Sequence, residues 1–294
     1  MKKEEKNYNK KIILITGTGG HLGSFLLDRI LKKKYKIFSI EKEKPTKKIK
    51  NVTSLIVDIS KINELAKYKK IFAKTDILIH LAAYVPLEGK LDDFNKSLNI
   101  NIKGSVNLAN FLKDGSKFIF ANTCEIYNPQ TFYAISKLTA EKYLKVICKK
   151  RNIKFISLRF ASMYGPGEKI KRAIPNFIKA AIKNEDIFIF GAGKEKRSYL
   201  YIEDAVQAIL RTIDYSQNGI FNISSEEVTT ILDSAKLIRK IAESKSKIIF
   251  GTRKKEKKNL VFSIKKAKKE LEFKPKFKLK DGFKKEIEHF RKYE

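Results

Sequence analysis

The stretch Lys11-Ile12-Ile13-Leu14-Ile15-Thr16-Gly17-Thr18-Gly19-Gly20-His21-Leu22-Gly23 reads as a strand, a glycine-rich turn and the opening of a helix. Ile12 to Ile15 are apolar and mostly β-branched, the pattern of a fully buried strand. An amphipathic run from Ser24 to Lys34 follows the turn. Gly17, Gly20 and Gly23 make G-x-x-G-x-x-G, a close variant of the dinucleotide fingerprint. In that fingerprint glycines allow the tight turn, let the backbone approach a pyrophosphate, and let helix and strand pack closely. His21 and Leu22 then fall at the helix N-terminus, whose N–H groups and partial positive charge suit a phosphate.

Further along, Lys36 to Glu41 reads as a second strand ending in an acid 24 residues after Gly17. That is near the spacing of about 20 expected for a carboxylate on the adenosine ribose. Such a carboxylate repels a 2′-phosphate and so favours NAD over NADP, although Lys42 and Lys44 lie close by. Ser54–Ile59 reads as a third strand and Asp76–Ala83 as a fourth, ending in small residues against which a cofactor can lie. A helix around Asn99–Leu112 and a strand Lys117–Ala121 come next. Strands alternating with helices predict βαβ units and a doubly wound parallel sheet. The ligand crevice then belongs at the strand C-termini, with the glycine turn, Glu41, His80 to Ala83, Asn122 and Thr123.

Tyr133-Ala134-Ile135-Ser136-Lys137 opens a helix running to about Lys150. Residues four apart share one helix face, so Tyr133 and Lys137 point the same way. A tyrosine with a free pKa of roughly 10 is a poor base, and a neighbouring ammonium favours its phenolate.

With 294 residues, 43% of them apolar, the chain can bury a sizeable core as one large or two linked domains. It has no apolar run of eighteen residues, which excludes a transmembrane helix, and Met1–Lys10 reads as a polar frayed tail rather than a signal peptide. Two cysteines, Cys124 and Cys148, make no disulfide framework and favour a reducing cytoplasm. Three scattered histidines have no metal-ligand spacing. The formal charge of +32 would attract polyanions. Lysine is nevertheless spread along the whole chain, and no nucleic-acid-binding signature accompanies it, so no nucleic-acid partner is expected.

In their order and spacing these segments resemble the extended short-chain dehydrogenase/reductase family, the NAD-dependent nucleotide-sugar epimerases and dehydratases. The resemblance covers almost the whole chain. It rests on Thr16-Gly17-x-x-Gly20-x-x-Gly23, His80-Leu81-Ala82-Ala83, Asn101-x-x-Gly104, Thr123-x-Glu125-Ile126-Tyr127 and Tyr133-x-x-x-Lys137. Leu158-Arg159, Tyr164-Gly165-Pro166-Gly167 and Arg197-Ser198-Tyr199 leading to Ile202-Glu203-Asp204 extend it.

The resemblance implies roles residue by residue. Thr123 matches the residue that hydrogen-bonds the reacting sugar oxygen, and Tyr133 the acid/base. Lys137 matches the lysine that binds the nicotinamide ribose and lowers the tyrosine pKa. Asp58 and Ile59 match the adenine-recognising pair, Leu81, Ala82 and Ala83 line the cofactor, and Asn101 borders the active site. Arg197, Ser162 and Arg253 are the substrate-binding candidates, with a guanidinium fork suited to a diphosphate.

Several positions depart from the family pattern. Asn122 stands where Ser is usual. The dehydratases resemble Thr-Asp-Glu at 123–125, where this chain has Thr-Cys-Glu, which puts dehydration in doubt. Thr-Ser-Glu, the decarboxylase pattern, is nearer. Glu125 is then either a second acid/base or a packed glutamate, and Cys124 a small buried filler. Only Asn128–Phe132 separate Tyr127 from Tyr133, where relatives carry a longer loop, and Asn128 replaces a usual Gly. Ser162 replaces a common Asn.

The expected architecture is α/β, a Rossmann-type doubly wound parallel sheet with a smaller C-terminal α+β substrate domain. Residues 1–166 form the NAD-binding domain, with 198–225 returning to it, and 167–197 with 226–294 the substrate domain. The expected activity is C4 epimerisation of a nucleotide-diphosphate sugar through a transient 4-keto sugar, in a homodimer. A decarboxylase, a 4-ketosugar reductase or dehydratase, and a non-catalytic dinucleotide-binding protein are the alternatives.

Overall fold

The computed structural model describes residues 10–45, 49–85, 90–168, 170, 172–252 and 259–293. The amino-terminal tail lies outside them. The elements of the first half are β1 (Ile12–Thr16), α1 (His21–Ile30), β2 (Lys36–Glu41), β3 (Val52–Ile56), α2 (Ile62–Ala66), α3 (Lys69–Phe72) and β4 (Ile77–His80). Then come α4 (Leu91–Lys96), a π-helical segment Ser97–Gly104, α5 (Ser105–Phe111), β5 (Lys117–Thr123), a 3-10 turn Cys124–Tyr127, α6 (Phe132–Lys150) and β6 (Lys154–Phe160).

A seven-stranded sheet has the order Gly219–Ile223, β6, β5, β4, β1, β2, β3. β1 pairs in parallel with both β2 and β4, β2 with β3, and β4 with β5. From β3 to β6 this is the doubly wound order, reversing direction at β1. The sequence-based expectation of a Rossmann-type parallel sheet therefore holds. Apolar runs explain the strands: β1 is buried from Ile13 onward and β4 along its whole length. The expected single helix at 99–112 is instead a π-helical stretch that becomes α5.

The chain folds as two compact units. The first comprises residues up to Ala121, Gln130–Ser157 and Ser216–Gly219. Its core joins Leu14, Phe38, Ile40, Leu55, Leu78, Leu108, Phe118, Phe120, Ala140 and Leu144. Burying each large apolar side chain of this set contributes roughly 1.5–3 kcal/mol.

The second unit comprises Asn122–Pro129, Leu158–Tyr215 and Ile220–Glu294. Helices Ala173–Lys183, Ile231–Ile241 and Leu279–Tyr293 pack together there. Tyr164 packs edge-on against Tyr201 and Phe283, with ring centroids 5.5 and 5.1 Å away. Asp204 accepts the backbone N–H groups of Lys276 (2.8 Å) and Phe277 (3.2 Å), tying the chain before the last helix to Ile202–Asp214. No described helix is long and apolar enough to cross a membrane.

Candidate active site

In the first unit the C-terminal ends of the four parallel strands β1 to β4 meet. Gly17 N–H bonds Ile40 O at 3.2 Å, Leu81 N–H bonds Thr16 O at 3.2 Å, and Val57 N–H bonds Glu41 O at 2.8 Å. The glycine turn is built for close approach. Gly17 has φ +74°, and a Cβ there would lie 2.8 Å from Ala82 N. A Cβ on Gly23 would run into Gly17 O and lie 2.7 Å from Thr18 Cα, so α1 could not seat against the turn. Gly20 caps α1 without a side-chain acceptor, and the first turn carries no acid. The positive helix end, with His21 and Leu22 in its first turn, could hold an anion.

Glu41 closes the turn from the side. Its Oε1 accepts the Thr18 N–H at 2.7 Å and the Thr18 hydroxyl at 2.6 Å. Asp58 faces its own loop: Oδ1 accepts the Ser60 N–H (2.9 Å) and hydroxyl (2.7 Å), and these bonds lower its pKa against an opposing effect of burial. Ile59 is buried and Ala82 and Ala83 are half-buried.

α6 begins at Thr131, whose hydroxyl oxygen accepts the Ala134 N–H at 3.1 Å. This cap puts Tyr133 in the first turn and Lys137 one turn on. Lys137 is 1% exposed. Its ammonium lies over the Phe120 ring, 3.9 Å from the centroid. Burial pulls its pKa down to about 7, opposed by the Glu141 carboxylate four residues on.

Asn101 is 1% exposed and holds the same helix. Its Oδ1 accepts the Tyr84 N–H at 2.7 Å, and its Nδ2 donates to Tyr84 O and to Ser136 Oγ, both at 2.9 Å. Ser136 in turn donates to Tyr133 O at 2.8 Å. The structure therefore brings together Gly17, Gly20, Gly23, Glu41, Leu81 and Ala82 at one strand edge, and Asn101, Tyr133 and Lys137 on one helix and its buried support.

Thr123 and Glu125 belong to the second unit. Thr123 Oγ1 accepts the Glu125 N–H at 3.2 Å and caps the 3-10 turn. Cys124 is 2% exposed, its thiol donates to Arg159 O at 3.1 Å, and burial pushes its pKa up to about 12, so it is an inert filler. Tyr127, before the short loop, donates to Asn222 Oδ1 and accepts from Arg159 Nη1, both at 2.8 Å, while its ring stacks on Phe262. Ser162 is half-buried, and Arg197 is 6% exposed with Nη1 donating to Lys196 O at 2.9 Å. Arg253 lies outside the described residues. Among the described residues no group of three His, Cys, Asp or Glu side chains could hold a metal.

Sequence reading missed Thr18 and the partners of His80. Their contacts join residues 23 to 66 positions apart, and no local pattern announces such pairs.

The profile of the NAD dependent epimerase/dehydratase family matches residues 13–224. The chain is 28% identical over 325 aligned residues to a UDP-N-acetyl-alpha-D-glucosaminuronate decarboxylase of Bacillus cytotoxicus, covering 97% of this chain and 99% of that one. It superposes on the UDP-glucose 4-epimerase of Thermotoga maritima, solved with UDP-glucose, with TM-score 0.84, 26% identity and coverage of 96% and 99%. It superposes on the UDP-glucuronic acid 4-epimerase of Bacillus cereus, solved with NAD, with TM-score 0.81, 25% identity and coverage of 96% and 99%. A strand-edge glycine cradle, an acid fixed at its rim and a buried lysine one turn beyond a tyrosine thus occur in a chain that belongs to the NAD dependent epimerase/dehydratase family, the extended branch of the short-chain dehydrogenases/reductases.

Proposed function

We propose that this protein is an NAD-dependent C4 epimerase of a UDP-sugar. The observation that carries the reading is Lys137, 1% exposed and one turn beyond Tyr133 on the same helix, with its ammonium over the Phe120 ring. It can take ribose hydroxyls as acceptors and favour the Tyr133 phenolate. NAD, when bound, supplies the hydride acceptor. Tyr133 would take the proton of the sugar C4 hydroxyl as the C4 hydride leaves for bound NAD, giving a transient 4-keto sugar, and would return that proton when hydride is delivered to the opposite face. Thr123 holds the C4 oxygen by a hydrogen bond. Gly17 to Gly23 hold the pyrophosphate, Glu41 the adenosine ribose, and Asp58 and Ile59 the adenine. Arg197, Ser162 and Arg253 hold the diphosphate of the substrate, Arg197 and Arg253 from a substrate-binding part formed by 167–197 and 226–294.

A second reading, decarboxylation of a UDP-uronic acid, is favoured by Thr123-Cys124-Glu125 and by the similarity to the Bacillus cytotoxicus decarboxylase. There Glu125 acts as the additional acid/base. On α6, Ile135, Tyr143 and Val146 are 47%, 55% and 55% exposed. This apolar face supports a homodimer through that helix.

The test is incubation with NAD and a panel of UDP-hexoses and UDP-uronic acids, followed by product NMR. A C4 epimer without net NADH supports the first reading, and carbon dioxide with a pentose product the second. Tight NAD binding without turnover of any sugar contradicts both.

A further inference from the structure

Behind the cofactor cradle runs a polar chain centred on His80, a residue that none of the roles above uses. Ala82 N–H donates to Thr16 Oγ1 at 3.1 Å, and Thr16 Oγ1 lies 2.7 Å from His80 Nδ1. On the other side of the ring, His80 Nε2 lies 2.9 Å from Ser105 Oγ, which donates to Asn101 O at 2.6 Å. The single Ser105 proton is spent on that carbonyl, so Ser105 must accept from His80 Nε2–H. His80 Nδ1 is then the acceptor for the Thr16 hydroxyl. Every proton in the chain has one direction.

We propose that His80 is a positioning residue, a neutral Nε2–H imidazole with two arms. The Nδ1 arm sets the Thr16–Ala82 floor against which the cofactor lies, and the Nε2 arm sets the Ser105–Asn101 support of the Tyr133 helix. The proposal rests on the reading of the glycine turn as the NAD site and of Tyr133 as the acid/base.

The surroundings exclude a proton carrier. His80 is fully buried, edge-on to Phe118 and tilted over Phe120, with both nitrogens occupied. Burial holds its pKa well below the ordinary value, and the Lys137 ammonium pushes in the same direction. The rest of β4 is Ile77-Leu78-Ile79, so an apolar residue would fill the position without desolvation cost. What the imidazole adds is direction. It orders Thr16 so that one lone pair faces Ala82 N–H, at the spot where Gly17 makes its closest approach. It orders Ser105 so that the backbone at Asn101 is fixed, and the Asn101 amide carries that to Ser136 and Tyr133 O.

The two arms can be cut separately. An asparagine amide reaches the place of Nδ1 and a glutamine amide the place of Nε2. In His80→Asn, kcat for the UDP-sugar should fall about tenfold, with a smaller change in the NAD Kd from calorimetry. In His80→Gln, the Kd should weaken about tenfold, with a smaller change in kcat at saturating NAD. Equal effects of the two variants on both quantities, or none, would overturn the proposal. Ser105→Ala cuts only the second arm in an otherwise intact core and should mimic His80→Asn. The chain has only three histidines, so nitrogen-15 NMR of the wild-type protein reads the ring directly. It should report neutral Nε2–H from pH 5 to 8, and an Nδ1–H or doubly protonated ring overturns the assignment. Calorimetry and NMR need no turnover, so an inactive chain would contradict the catalytic reading while these two still decide the cofactor-side arm and the tautomer.

Discussion

Thr18 gives both its backbone N–H and its hydroxyl to one carboxylate oxygen of Glu41, at 2.7 and 2.6 Å. The acid is thereby locked at the rim of the glycine turn, with Oε2 the oxygen not used by Thr18, and a fixed acceptor loses little entropy when a ribose hydroxyl binds. Glu41→Ala should weaken NAD about tenfold and narrow the gap between NAD and NADP, both read by calorimetry. Thr18→Val keeps the N–H bond and loses the hydroxyl bond, so it should fall between wild type and Glu41→Ala. An unchanged NAD/NADP ratio in Glu41→Ala would remove the acid from cofactor selection.

Gly23→Ala should disable the turn. Its Cβ would meet Gly17 O, a backbone atom that cannot move without opening the turn. Loss of NAD binding with a stability loss of about 2 kcal/mol, measured by calorimetry and denaturant unfolding, is the expected outcome. A variant that binds NAD normally would show that helix and turn are not so closely packed.

Lys137 links the site to pH. Its pKa is about 7 when folded against a usual 10.5. Between these values the unfolded chain holds a proton that the folded chain does not, so this group makes stability rise with pH from about 7 towards 10.5. Below about 7 the burial cost of the ammonium is felt in full. In thermal unfolding, Lys137→Met should gain most over wild type near pH 6 and lose that advantage towards pH 10, while NAD binding weakens. A gain that does not vary with pH would contradict the assignment.

Glu286 has the opposite sign. It is fully buried, neither carboxyl oxygen has a hydrogen-bond partner, and burial pushes its pKa up to about 8, with the Glu168 carboxyl adding to the rise. Glu168 is raised to about 7 by burial, against the Arg172 guanidinium 3.8 Å away. A raised carboxyl contributes stability at acid pH and loses it as pH rises through about 8. Glu286→Gln should match wild type near pH 5 and be roughly 2 kcal/mol more stable near pH 9. Parallel stability curves for the two proteins would contradict this.

The fold was legible because its signals are local. Ile12–Ile15 followed by three spaced glycines, and Tyr133 four residues before Lys137, each put their message within one turn or strand. Helix bounds shifted little, with α6 starting at Phe132 rather than Tyr133. The π-helical stretch Ser97–Gly104 has no such signal, since it accompanies the reach of Asn101 and Ser105 to Tyr84, Ser136 and His80. The grip of Thr18 on Glu41 and the orphaned carboxyl of Glu286 likewise depend on residues distant in sequence. Arg197 was legible as a candidate, whereas its burial and its bond to Lys196 O were not.

The most direct test of the proposed chemistry is the Tyr133→Phe variant, assayed with NAD and the best UDP-sugar of the panel. Removing one hydroxyl takes away the proton acceptor for C4 and leaves the helix cap at Thr131 and the ammonium of Lys137 in place. The expected result is a fall in kcat of about a thousandfold, with the NAD Kd within about threefold of wild type. Full turnover by Tyr133→Phe would contradict it.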